Sequence, residues 1–145
     1  MPRLSRYVFS SFALVTTLAW GQETAVLRDL DARGRVTLTK DELSQLLPGA
    51  KMSRVTSKGN SQIWKNDSSG SFIISSDNRD VQGLPSTAQG KWHISDDGRY
   101  CVLIEWKRNP TEEWCRYIVR AGAHYYATRS DRTGTEKVYK LGISK

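Results

Sequence analysis

The stretch RYCVLIEWKRNPTEEWCRYIVR, residues 99–120, decides the fold. It reads as two strands joined by a turn. Tyr100, Val102, Ile104 and Trp106 share one face of the first strand, while Cys101, Leu103, Glu105 and Lys107 take the other. Setting Cys101 across from Cys115 puts Val102 beside Trp114 and Leu103 beside Glu113. The turn then falls at Arg108 to Pro110, where Asn109-Pro110 predicts one independently. Two unrelated signals give one register. Apolar residues occupy both faces, so neither is expected to be wholly solvated.

The same alternation continues outward from this hairpin. Upstream lie Met52 to Thr56, Gln62 to Lys65, Ser71 to Ser75 and Lys91 to Ile94. Downstream lie His124 to Thr128 and Lys137 to Ile143. Between them stand Lys58-Gly59-Asn60, Asn66 to Gly70, Asp96-Asp97-Gly98, Ala121-Gly122 and Ser130 to Gly134, residues that favour tight turns. The prediction is a mainly β domain, an antiparallel meander of about seven or eight short strands closed into a small barrel or sandwich. Ser76 to Gln89 is polar and bears Gly and Pro, and reads as a surface loop.

One short helix precedes the strands. Thr39 and Glu42 have capping-box spacing, and Leu38 and Leu43 have that of a hydrophobic staple. Leu43, Leu46 and Leu47 share a face, and Pro48-Gly49 ends the helix, so Lys40 to Leu47 is expected to dock a leucine stripe on the core. Before it, residues 22–35 form a polar lead-in with room for a short helix through Val26, Leu27 and Leu30, ended by Gly34. The β domain itself is placed at residues 36–145.

The N-terminus reads as a signal peptide. Arg3 and Arg6 precede an apolar run from Val8 to Leu18, and Ala19-Trp20-Gly21 supplies small residues for cleavage before Gln22. The run is short for a membrane span, which needs about 20 residues. No cysteine follows it to take a lipid anchor. Removing residues 1–21 takes away two of the 22 basic residues and none of the 15 acids, so net charge falls from +7 to +5. Cys101 and Cys115 are the only cysteines, an even pair expected to bond in an oxidising compartment. Periplasmic residence or secretion follows.

Catalytic patterns are sparse. His93 and His124 stand apart with no metal-ligand spacing, and no nucleophile elbow or phosphate loop occurs. Glu105, Glu112 and Glu113 gather near one hairpin end, where a solvated edge is the simpler reading of their carboxylates. No catalytic residue, metal or cofactor is assigned. The aromatic-rich, basic composition suits binding better. Trp92, Trp106, Trp114, Arg116 and Arg120 are the candidate ligand-binding residues, with both arginines on the face of Trp114 and Ile118. Export and a disulfide argue against a nucleic-acid target.

Gly90-Lys91-Trp92, Asp97-Gly98-Arg99-Tyr100-Cys101 and Trp114-Cys115-Arg116 resemble the G-x-W … G-x-x-C … C core of domain-of-unknown-function family 995. Leu38 to Leu43 with Leu47-Pro48-Gly49 is similar to that family's opening. The resemblance implies a small exported bacterial β domain and carries over no catalytic residue. The expected function is an exported, non-enzymatic binding domain for a small amphipathic or anionic ligand. The alternatives are a protein-partner module working through Ser76 to Gln89, such as an inhibitor of a cell-wall hydrolase, and, last, an envelope hydrolase.

Overall fold

A computed structural model describes residues 25–79, 83 and 85–145, so the signal peptide expected at 1–21 lies outside the described residues. The strands are β1 (Val36–Thr37), β2 (Lys51–Val55), β3 (Ser61–Lys65), β4 (Ser71–Arg79) and β5 (Pro85–Ile94). After them come β6 (Tyr100–Trp106), β7 (Glu112–Ala121), β8 (His124–Thr128) and β9 (Val138–Ser144). From β2 onward each strand pairs antiparallel with the next, and β9 pairs back to β2. Eight strands therefore close into a barrel, as the meander predicted, and β1 adds a two-residue pairing to β7. The central hairpin has the register read from sequence: Cys101 faces Cys115, Val102 faces Trp114 and Leu103 faces Glu113. The two cysteines are bonded.

An eight-stranded barrel is just wide enough for side chains to fill. Met52, Trp64, Phe72, Ile74, Tyr100, Val102, Ile104, Ile118 and Leu141 belong to one buried cluster and occupy it. Its tightness shows at Gly90, which pairs with Phe72 across β4–β5. The Phe72 ring sits where a β-carbon on Gly90 would project, so only glycine fits. One end is plugged by α1 (Lys40–Leu46). The Thr39 hydroxyl accepts from the Glu42 N–H at 3.2 Å, and Leu38, Leu43 and Leu47 join the barrel core. The Lys145 ammonium donates to the Gln45 and Pro48 carbonyls and ties the C-terminus to this plug. The opposite end is open.

Two expectations need revision. The Ser76 to Gln89 segment is mostly not a loop, because β4 runs on to Arg79 and β5 starts at Pro85. Ser76 pairs with Ser86 and Ser75 with Thr87, and the register shifts between Ser76 and Arg79. Polar residues hide a strand from hydrophobic patterning, yet their backbone groups pair as well as any others.

The lead-in is also more than a polar approach. Its anticipated helix forms as a 3₁₀ helix, Leu27–Arg33, ended by Gly34 in the left-handed conformation. Leu27 and Leu30 are fully buried on the outer face of β7–β9, against Val119, Ala121, Tyr126 and Val138. This second small core is why adjacent β7 residues, Ile118 and Val119, are both buried.

Candidate functional site

The open end gathers polar and aromatic groups that point inward. Arg54 follows Met52 on the inner face of β2, so its guanidinium enters the barrel mouth. Its Nε donates to Gln62 Oε1 at 2.7 Å and its Nη2 to Glu112 Oε2 at 2.8 Å. The other Glu112 oxygen accepts from Trp106 Nε1 at 3.3 Å. Trp114 lies between two cations: Arg54 stands 5.4 Å from the ring centroid and Arg116 5.7 Å. Its indole N–H is buried and has no hydrogen-bond partner among the described residues.

Arg116 is half-buried, and among the described residues its guanidinium donates only to the Cys115 carbonyl, at 2.9 Å. No carboxylate pairs with it among the described residues. Burial lowers its pKa, and the neighbouring Arg129, Arg54 and Arg99 lower it further, with only Tyr139 acting in the other sense. An arginine still keeps its charge in such surroundings. The result is a cation packed on a tryptophan with no carboxylate paired to it among the described residues. Beside it opens a hollow of about 330 Å³ whose lining includes Arg54, Trp114, Arg116, Ala127, Tyr139 and Leu141, together with Lys140 and the Glu112 carboxylate that Arg54 pairs. Tyr139 is 52% exposed although its strand neighbour Leu141 is buried, so one face of its ring is offered to the hollow.

Of the five candidate residues, the mouth brings together Trp106, Trp114 and Arg116. Trp92 does not join them. It sits toward the plugged end, where its Nε1 donates to the Asp67 carbonyl at 2.8 Å and its ring packs on Tyr100. Arg120 is exposed four residues beyond Arg116, across from Tyr125 and toward the plugged end, so it does not join Arg116 at the hollow. The sequence reading missed Arg54, Glu112 as a mouth residue, and Tyr139. A signal was available for Arg54, which shares strand parity with the apolar Met52. His93 and His124 are exposed on separate strands, and Glu105 and Glu113 are exposed while Glu112 turns inward to Arg54. These acids and histidines do not converge.

Between mouth and plug runs a buried polar chain. Trp64 Nε1 donates to the Tyr100 hydroxyl at 3.1 Å, and Tyr100 donates to Asn66 Oδ1 at 2.7 Å. Asn66 in turn donates to the Leu47 carbonyl at 3.3 Å, so the chain ends at the plug. Tyr100→Phe leaves the Trp64 N–H and the Asn66 oxygen unsatisfied, an expected cost of about 1–3 kcal/mol by urea unfolding. Burial raises the Tyr100 pKa, outweighing the Trp64 N–H bond and the Arg54 charge, which favour the anion. A raised folded pKa means stability intact below the unfolded value near 10 and drained as pH climbs past it. The gap between wild type and Tyr100→Phe should therefore narrow when the same measurement is made at about pH 11.

The family described as "Protein of unknown function (DUF995)" matches residues 15–132, most of the chain. The chain belongs to this family. No curated protein and no solved structure matches it. The residues that carried the DUF995 resemblance meet in the barrel. Trp92, Tyr100 and Trp114 make a continuous aromatic row, with centroids 6.2 and 5.9 Å apart. Gly98 has a φ of 77° and lies against the backbone of Lys40, which lets the β5–β6 turn meet the plug helix. The DUF995 motifs thus build the wall from which Trp114 and Arg116 face the mouth.

Proposed function

We propose that this DUF995 chain is an exported, non-enzymatic binding domain that takes a small amphipathic, anionic ligand at the open end of its barrel. The observation that carries the reading is Arg116: half-buried, braced on Trp114, free of any acid partner among the described residues, and opening onto a hollow. Proteins seldom desolvate a cation without compensation, since burial disfavours the charged form. A bound anion would supply that compensation. The hollow lies within the size range of small-ligand sites, about 300–1,000 Å³, and joins apolar surface to a few charged groups. Arg116 would take the ligand's anionic group, and the Tyr139 ring with Ala127 and Leu141 its apolar body.

Export is supported by the Arg3, Arg6 and Val8 to Leu18 pattern and by the Cys101–Cys115 bond. Among the described residues no helix is long and apolar enough to cross a membrane. The alternative of a partner protein gripped by a long Ser76 to Gln89 loop has lost that loop to the β4–β5 pairing.

Native mass spectrometry of protein purified from its own cells tests the reading. An added small mass should accompany wild type and vanish from Arg116→Glu. Losing a charge-assisted bond and gaining repulsion costs at least about 2 kcal/mol, roughly thirty-fold in affinity. Bare protein from every preparation, or a mass indifferent to Arg116→Glu, would overturn it.

A further inference from the structure

The outer wall of the barrel differs between its two sides. On the β7–β9 side the outward apolar residues are covered by Leu27 and Leu30. On the β2–β4 side they stay exposed: Val55 is 54%, Ile63 61% and Ile73 67% accessible. Ser53 and Ser75 stand directly across from Ile63 on either side, short side chains that leave the isoleucine projecting. Val55 and Ile73 lie on the two diagonals of Ile63, so the three form one stripe across adjacent strands. Lysines border it. Lys51 and Lys65 are opposed across β2–β3, an arrangement of like charges that is destabilising. With Ile63 and Ile73 they line a groove of about 630 Å³. Lys91, across from Ser71 and Leu103, shares a second groove with Lys65 and Ile73. None of these three lysines has an ion pair among the described residues. On the outward face of β2–β5 the single acid among the described residues is Asp77, whose Oδ1 accepts from the Ser61 N–H at 2.8 Å. Asp67 and Glu105 stand at the margin, in the second groove.

We infer that this face docks the protein on an anionic lipid bilayer. Val55, Ile63 and Ile73 enter the headgroup boundary, and Lys51, Lys65 and Lys91 meet the lipid phosphates. Charge complementarity selects that occupant, because a negative surface relieves the opposition of Lys51 and Lys65. A lysine stem can lie along apolar surface while its ammonium stays at headgroup level. The composition argues against a protein partner. Protein interfaces are depleted in lysine and anchored on Trp, Tyr and Arg, whereas aliphatic residues bordered by lysines suit a membrane surface. The mouth plays no part in this docking, so the two readings stand or fall separately.

Vesicle sedimentation tests this with protein purified from its own cells. Vesicles of mixed phosphatidylglycerol and phosphatidylcholine should bind about tenfold or more tightly than vesicles of phosphatidylcholine alone. Raising the salt from about 0.1 to about 1 M, which shortens the Debye length from about 10 to about 3 Å, should remove most of that advantage. Lys51→Gln with Lys65→Gln should weaken binding about twentyfold, at roughly fivefold for each lysine. Ile63→Ser with Ile73→Ser leaves the charge unchanged and should weaken it about tenfold. Both pairs are exposed, so circular dichroism should show the barrel intact. Arg120→Gln with Lys137→Gln removes the same charge from the other side of the barrel and should keep affinity within about threefold. Equal binding to both kinds of vesicle, binding to neither, or insensitivity to either the lysine or the isoleucine pair overturns the inference. So does an equal loss in the Arg120 and Lys137 control. A lipid-free dimer in sedimentation velocity that Ile63→Ser with Ile73→Ser abolishes would assign the face to a second copy instead.

Discussion

Leu30→Ala is expected to lower stability by about 2–5 kcal/mol, the usual range for truncating a fully buried leucine. For a chain of this size that corresponds to a fall in Tm of roughly 5–20 °C. Leu30 sits in a segment that composition alone would class as a polar approach to the fold. It is fully buried, and the backbone around it is tied down at several points. The Leu27 N–H donates to the Glu136 carbonyl at 3.0 Å and the Arg28 N–H to Gly134 at 2.9 Å. The Val138 N–H donates to Ala25, and the Gly122 N–H to Arg33, both at 3.0 Å. The 3₁₀ helix is thereby pinned to β9 and to the turns on either side of β8, and its leucines cover the outer face of β7–β9. A cavity at Leu30 cannot collapse easily between such anchors. Asp31→Ala is the control, since its ion pair with Arg35 is surface-exposed and should be worth about 1 kcal/mol at most. A thermal melt of Leu30→Ala that coincides with wild type would show that the barrel stands without this cover.

The second large effect is expected at the disulfide. Replacing both Cys101 and Cys115 by serine should cost about 3 kcal/mol, the chain-entropy value for a loop of about 15 residues. Urea unfolding reads this as a lower midpoint. The bond lies on the outside of the central hairpin, at a position where β6 and β7 are already paired on both sides of it. The native register should therefore survive its loss, with the penalty carried mostly by a freer unfolded chain. Trp114 and Arg116 flank Cys115, so ligand binding should persist in the double variant once it is folded. A double variant as stable as wild type would mean that hairpin pairing alone restrains the unfolded chain.

The hairpin was legible because three constraints coincide there: side-chain alternation, an Asn-Pro turn and two cysteines. Each is local, and each specifies the same pairing. The plug helix was legible for a similar reason, since Thr39, Glu42, Leu38 and Leu43 act within one turn of backbone. The Ser76 to Gln89 strands were not, because a strand of Ser, Thr, Asn and Gln leaves no hydrophobic period to follow. The mouth was half legible. Trp114 and Arg116 stood out by type and shared parity, but parity cannot say how far a residue lies along the barrel. Arg120 has the right parity and the wrong end. Arg54 and Tyr139 come from distant strands, and nothing local marks them as neighbours of Trp114.

By itself the sequence determined the alternating segments, the turns between them, the capped helix and the cysteine pairing, all set by interactions within a strand or across one tight turn. Tertiary structure alone decided that β9 returns to β2, that Leu27 and Leu30 cover the outside of the barrel, and that Arg54, Trp114, Arg116 and Tyr139 meet at one rim. Closure is the physical reason. It brings together residues far apart in the chain through strand tilt and stagger, which depend on the whole ring of pairings and on no single segment.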